Sequence, residues 1–283
     1  MRVIALVENT RMEDMQHLVA EHGLSLYIER NGTRILFDTG ATEAFGRNAE
    51  RLGVNLQDVD AAVISHHHFD HGGGLAHFLE TNHRATVYLK RSEAQDFYFR
   101  ALGVIKKYVG LDAELLQQHA DRFVFVDQFT EILQGVYILT EIVQRSPIPK
   151  GNRWLFVSDG GSFSPDSFEH ELVMAVREGD ELVVFTGCAH SGILNMMETV
   201  TRQFEGFPIK AVFGGFHLVD MPLLKNSMAG TKEEVRHIGE QMLRYPVEHV
   251  YTGHCTGKKA YRVLKGVMQD KLDYFPTGSD VVL

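Results

Sequence analysis

The sequence predicts an α/β (α+β) architecture, an αββα sandwich of two mixed β-sheets packed face to face with helices on the outer faces. Three observations carry that expectation. Short apolar runs separated by turn residues recur through both halves of the chain, and each β-rich half is followed by helical periodicity. Several runs end in polar loops, as Ala61-Ala62-Val63-Ile64 does before Ser65-His66-His67-His68-Phe69-Asp70-His71-Gly72. With 283 residues, 44% of them hydrophobic, the chain can bury a large core, and it is read as one domain over 1–283.

The elements follow in order. Residues 24–30 and 33–38 read as strands around Asn31-Gly32, a dipeptide suited to the positive φ angles of a two-residue hairpin. Phe45, Ala49 and Leu52 fall at helical spacing and place a helix over about 41–52. Residues 59–65 form the strand feeding the histidine loop, 72–79 begin a helix and 85–89 return as a strand. The aromatic stretch 91–119 is read as a helical insert, either a cap beside the site or a helical pair packed on a sheet. Strands are expected at 123–126, 136–140 and 154–158, and Glu178-Gly179-Asp180 turns a hairpin of 171–177 and 181–186. Helices follow at about 193–204, 232–243 and 258–268, alternating with strands 210–213 and 249–252. Pro147-Ile148-Pro149-Lys150-Gly151 is the most loop-like segment and is expected over the site.

The charge balance of 28 basic against 37 acidic residues, net −9, argues against non-specific nucleic-acid binding, which needs basic surface. It leaves room for a local basic pocket that takes a small phosphorylated ligand. Cys188 and Cys255 are the chain's two cysteines, too few for a disulfide framework. No signal-peptide pattern follows Met1-Arg2-Val3 and no run approaches the roughly 18–20 apolar residues of a membrane span, so a cytoplasmic location is expected.

Chemistry concentrates in the histidine loop. His66, His68, Asp70 and His71 stand within six residues at the mouth of a buried strand. Imidazole nitrogen and carboxylate oxygen suit zinc and neighbouring first-row metals at about 2.0–2.2 Å. Extended backbone points His66 and His68 to one side and His67 away, while the turn into Gly72-Gly73-Gly74 swings Asp70 and His71 toward a second position. Two adjacent divalent cations are expected, zinc first, with manganese or iron as alternatives.

This H-x-H-x-D-H loop resembles the hallmark of the metallo-β-lactamase superfamily, and further segments are similar to its motifs in the same order. They are Arg34-Ile35-Leu36-Phe37-Asp38-Thr39-Gly40, the strand ending in Gly187-Cys188-Ala189-His190-Ser191-Gly192, and Val250-Tyr251-Thr252-Gly253-His254. The resemblance implies the αββα fold. It also implies one metal held by His66, His68 and His190, a second held by Asp70, His71 and His254, and Asp38 orienting the ligands. The chain departs from the family pattern where many members carry a bridging Asp, because the comparable segment is Phe213-Gly214-Gly215-Phe216-His217. Either His217 or Cys188 approaches the metals there, or solvent bridges them.

His217 enters the cleft as a substrate contact or general acid, or bonds backbone. Cys188 is a possible ligand or a small buried residue, and Cys255 is read as the latter. His170 is an alternative third ligand whose setting reads as an exposed strand start. Lys258 and Lys259, opening a helix, are candidate phosphate contacts or a solvated face. Asp38, Asp70 and His217 are the expected catalytic set.

The glycine-flanked motifs at His190, His217 and His254, together with Leu6-Val7-Glu8-Asn9-Thr10 and His22-Gly23-Leu24-Ser25-Leu26, are similar to the branch grouped with the archaeal dihydropterin synthase of methanopterin formation. That resemblance implies a metal-dependent hydrolase or transferase, working through metal-bound hydroxide or metal-activated phosphate on a small phosphorylated, pterin-like substrate. The alternatives on the same fold are a diiron redox protein and a nucleic-acid processing enzyme. Redox relatives usually place Glu where this chain has His68 and add a flavin domain. A non-enzymatic metal-sensing module is a further alternative, and a homo-oligomer is left open.

Overall fold

The computed structural model describes residues 1–93, 96–220 and 227–283. Local turn chemistry acts as expected at Asn31-Gly32, where φ values of 50° and 81° join antiparallel strands Ser25–Arg30 and Thr33–Phe37. The first sheet runs from edge to edge through Asp280–Val282, Arg2–Val7, Ser25–Arg30, Thr33–Phe37, Ala61–Ile64, Thr86–Lys90 and Phe123–Val126. Its pairings are antiparallel up to Thr33–Phe37 and parallel beyond it. The second sheet runs through Leu272–Tyr274, Val247–Thr252, Ile209–Gly214, Glu181–Thr186, Val173–Glu178, Val136–Leu139 and Thr130–Leu133, again half parallel and half antiparallel.

Phe37, Val63, Phe185 and Phe213 belong to the layer where the inner faces of the two sheets meet. Helices Ala44–Arg51 and Leu75–Thr81 cover the outer face of the first sheet through Phe45 and Phe78. Helices Ile193–Gln203, Lys232–Met242 and Lys258–Met268 cover the second through Met196, Met197, Val235 and Leu264. The αββα sandwich is therefore as expected.

The segment 91–119 is not a helical insert. Residues 94–95 of it lie outside the described residues. Asp96–Ala101 and Ile105–Tyr108 form an antiparallel hairpin, extended by Leu155–Asp159 and Ser162–Pro165 into a third, four-stranded sheet, and only Ala113–Gln118 is helical. In the folded chain Phe97, Phe99 and Ala101 are buried in alternation with half-buried Asp96, Tyr98 and Arg100, which is strand spacing, with Leu155–Asp159 paired in register beside them.

Parallel strands end on one side, and five strand ends deliver the polar loops to one rim of the sandwich. Thr33–Phe37 leads to Asp38, Ala61–Ile64 to the histidine loop, Glu181–Thr186 to Cys188 and His190, Ile209–Gly214 to His217, and Val247–Thr252 to His254. Asp38, Ala189, His217 and His254 all adopt positive φ, between 46° and 59°, a conformation costing L-residues about 1–2 kcal/mol. Such strain gathered at one rim marks the loops whose side chains must point inward. Among the described residues, no helix is long and apolar enough to cross a membrane.

Candidate metal centre

Six buried histidines and one aspartate converge at this rim. His66 Nε2 and His68 Nδ1 are 3.1 Å apart, and His67 turns away to place Nε2 2.7 Å from Lys90 O. The short helix Phe69–Gly72 brings His71 back, with Nε2 3.2 Å from both His254 Nε2 and Cys188 Sγ. Asp70 Oδ2 lies 3.4 Å from His254 Nε2. The ligand atoms of His66, His68 and His190 fall within 4.8 Å of one another, as do those of Cys188, His190 and His217.

The outer hydrogen bonds decide which nitrogen each ring offers. Asp38 is fully buried; its Oδ1 accepts from Ser65 N at 2.7 Å, and its Oδ2 accepts from Ser65 Oγ at 2.8 Å and from His71 Nδ1 at 2.6 Å. Ser65 Oγ, having donated to Asp38, accepts from His66 Nδ1 at 2.9 Å. Asn152 Oδ1 accepts from His190 Nδ1 at 2.9 Å, and Asn9 Oδ1 from His254 Nδ1 at 2.8 Å. Four imidazoles thus hold their proton on Nδ1 and turn a bare Nε2 inward.

Two lone pairs facing each other at 3.2 Å, as at His71 and His254, cannot hydrogen-bond, and His190 Nε2 is buried with no partner at all. A cation resolves both conflicts. Two nitrogens on a tetrahedral zinc at about 2.0–2.1 Å stand about 3.3 Å apart, so the donor set fits such an ion.

Electrostatics agree. Burial and the neighbouring imidazoles push His66 and His190 well below the ordinary histidine value, keeping both neutral. Burial lowers His254 to about 4 and His217 to about 3. Burial opposes ionisation of Asp70, yet hydrogen bonds with His22 and His254 hold it well below the usual carboxylate range. His71 runs the other way: Asp38 facing it raises it despite burial, so in the metal-free chain protons compete with a cation for its Nε2.

The residues that the resemblance implies for two metals lie together at this rim, and Asp38 bonds the outer nitrogen of His71. His217 lies over His190, ring centroids 4.1 Å apart, with Nδ1 buried and unpartnered, and at about 3 its ring is a neutral imidazole rather than a ready acid. No carboxylate can stand at the strand end beyond Phe213. A Cβ on Gly214 would lie 2.2 Å from Thr186 O, and one on Gly215 would lie 2.3 Å from Cys255 Sγ. The Cys188 thiol occupies the neighbourhood of His71 instead, its pKa pushed up by burial and by Cys255.

His170 is not exposed. It is buried, its Nδ1 accepts from His67 N at 3.1 Å and its Nε2 donates to Asp166 Oδ2 at 3.1 Å, so neither nitrogen is free for a metal. Asp166 Oδ2 also stands 3.8 Å from His68 Nε2.

The sequence offers no spacing signal for several supports. Fully buried Glu171 accepts from His190 N at 2.8 Å and Ser191 N at 2.7 Å, and burial raises its pKa to about 7. Glu8 accepts from His254 N at 2.5 Å and from Tyr274 Oη at 2.8 Å.

The centre opens into a cleft of about 200 Å³, walled by Phe69, Phe99, Ile105, Val109 and Leu155, with Lys107 among its lining residues. Lys258 and Lys259 are exposed and do not line it. Pro147, Ile148 and Pro149 border a different, apolar cavity of about 440 Å³ against the helices of the second sheet, while Gly151 packs on His217, where an added Cβ would lie 3.1 Å from Nε2, so the loop meets the centre at its Gly151 end.

Fold and donor set together define a metal-dependent enzyme built on the strand ends of a β-sandwich. The sequence pattern of the metallo-β-lactamase superfamily matches residues 19–254, and the chain belongs to that superfamily. It is 31% identical over 255 residues to the 7,8-dihydropterin-6-methyl-4-(β-D-ribofuranosyl)-aminobenzene-5'-phosphate synthase of Methanocaldococcus jannaschii, covering 85% of this chain and 83% of that one. A crystal structure of a metal-dependent hydrolase of the β-lactamase superfamily has 30% identity and a TM-score of 0.82, covering 100% of this chain and 99% of its own. Zinc-bound PqqB from Methylobacterium extorquens shares the fold, with a TM-score of 0.59 at 10% identity and full coverage of both chains.

Proposed function

We propose that this chain is a hydrolase or transferase that uses two divalent cations, zinc foremost, on a small phosphorylated, pterin-like substrate. The observation that carries the proposal is the set of inward Nε2 lone pairs on His66, His71, His190 and His254, the last two of which line an apolar cleft. His66, His68 and His190 would hold one cation, and Asp70, His71 and His254 the other. Bound there, the cations supply Lewis acidity toward a phosphoryl oxygen and lower the pKa of an attacking water or hydroxyl.

The chain's own residues do the rest. Asp38, Asn152 and Asn9 keep each imidazole proton on the outer nitrogen. Phe69 and Phe99 offer apolar faces to a flat ring, and the Lys107 ammonium, 4.5 Å from the Phe69 ring centroid, takes an anionic group beside that ring. His217 presents a neutral imidazole over His190 to a substrate oxygen. The likeness to the dihydropterin synthase supports a pterin-like ring and a phosphate or diphosphate leaving group.

Elemental analysis of protein purified without chelator, followed by a screen of phosphoesters and pterin-methyl diphosphates, tests the proposal. About two zinc or manganese ions per chain and metal-dependent turnover are expected, with both reduced in His68→Ala. Full metal content and full activity in that variant would overturn it, and two redox-active irons would bring the diiron reading forward.

A further inference from the structure

His22 precedes strand Ser25–Arg30, and its side chain, 47% exposed, lines the cleft beside the second ligand group. Its Nε2 is 3.1 Å from Asp70 Oδ2, the same oxygen that lies 3.4 Å from His254 Nε2. The two rings, His22 and His254, have centroids 5.1 Å apart.

Asn9 joins them. Its Oδ1 is 3.2 Å from Gly23 N and 2.8 Å from His254 Nδ1, while its Nδ2 is 3.4 Å from His22 Nδ1. A backbone N–H only donates, so the atom facing Gly23 is the carbonyl oxygen, and the orientation of the amide follows. His254 must then carry its proton on Nδ1 and keep Nε2 bare. The amide NH₂ must donate to His22 Nδ1, which leaves the His22 proton on Nε2, directed at Asp70. One amide therefore sets two histidines in opposite tautomers, one a metal-facing acceptor and the other a donor to a ligand carboxylate. The backbone closes the same clamp. Leu24 N donates to Asp70 O at 3.1 Å, and a Cβ on Gly23 would lie 2.7 Å from that oxygen.

We propose that His22, oriented by Asn9, is a positioning residue that fixes Asp70 Oδ2 for the second cation, an inference that rests on the metal-dependent reading above. Outer hydrogen bonds of this kind change metal affinity by about 10- to 100-fold.

The test is a titration of chelator-treated full-length protein with Co²⁺, read by its visible absorption, and with Zn²⁺ against a chromophoric chelator. Wild type, His22→Ala, His22→Gln and Asn9→Ala are compared. His22→Ala and Asn9→Ala should weaken the second equivalent by about 10- to 100-fold and shift its Co²⁺ band. The first equivalent should stay unchanged, which also reports that the variants fold. His22→Gln, whose amide N–H can still reach Asp70, should recover most of the lost affinity. Wild type binding two cations with His22→Ala indistinguishable from it would overturn this inference alone. A glutamine no better than alanine would also overturn it, since the imidazole would then act as something other than a donor. Wild type taking up no second cation would overturn the two-cation reading, and this inference with it.

Discussion

Replacing Asp38 with Asn changes one oxygen to nitrogen at the point where three donors meet. Oδ1 accepts from Ser65 N at 2.7 Å, and Oδ2 accepts from Ser65 Oγ at 2.8 Å and His71 Nδ1 at 2.6 Å. If the amide keeps its oxygen on Ser65 N, its NH₂ faces His71 Nδ1–H, and the contact survives only if that proton moves to Nε2. The Nε2 atom stands 3.2 Å from His254 Nε2, so the second cation would lose a ligand lone pair. The same NH₂ donates to Ser65 Oγ, freeing the hydroxyl to donate to His66 Nδ1, 2.9 Å away, and to push that proton inward as well.

If the amide flips instead, NH₂ opposes the buried Ser65 N–H, and one unsatisfied donor costs about 1–3 kcal/mol. Asp38→Asn should therefore lower metal affinity by about 10- to 100-fold, equivalent to about 1.4–2.7 kcal/mol, more at the second equivalent than at the first. Zinc competition against a chromophoric chelator measures this, with urea denaturation of the metal-free protein reporting the flipped alternative. Wild-type affinity at both equivalents together with wild-type stability would refute the tautomer argument.

Three further outcomes are expected. Lys107→Ala should raise KM for an anionic substrate by about tenfold or less, the ammonium being exposed, and leave kcat and metal content unchanged; an unaltered KM would place the anion elsewhere. Phe213→Ala should cost about 3–5 kcal/mol in denaturant unfolding without changing metal stoichiometry, because the ring is fully buried between the sheets, with centroids 5.3 Å from Phe185 and 4.6 Å from Tyr251. Metal-free protein should lose stability as pH falls from about 6.5 toward 4. Burial depresses His67 and His217 to about 3 and His254 to about 4 from 6.5, so the unfolded chain binds more protons in that window. Each contributes a slope of up to about 1.4 kcal/mol per pH unit. Glu171, raised by burial to about 7, and Glu8, also raised by burial, work in the opposite direction, two groups against these three and the likewise depressed His66, His170 and His190. Unfolding midpoints measured from pH 7 down to 4.5 check the sign, and a flat profile would contradict it.

Features set by neighbours in the chain were legible in the sequence. Asn31-Gly32 dictates its hairpin through the φ angles that its two residues tolerate. Helices 193–203, 232–242 and 258–268 follow from apolar residues at helical period and lie within a residue of the expected bounds. The misread segment 91–119 shows the limit. Its aromatic residues fit either period, and the deciding partner is remote, because Phe99 pairs in register with Leu155. One of its ladders is local, to Ile105–Tyr108, but the other is supplied from far along the chain and carries little local signal.

The same division runs through the metal centre. By itself the sequence determined the αββα sandwich and a cluster of donors at one strand end, and its resemblance to the metallo-β-lactamase superfamily implied which distant histidines join that cluster. Only the tertiary structure decided which nitrogen each ring presents. The groups that hold the outer nitrogens come from distant segments, Asp38 for His71, Asn152 for His190 and Asn9 for His254, a separation of 245 residues in the last case. A proton's place on an imidazole is set by whichever acceptor the fold brings against it, and no residue type or spacing encodes that acceptor in advance.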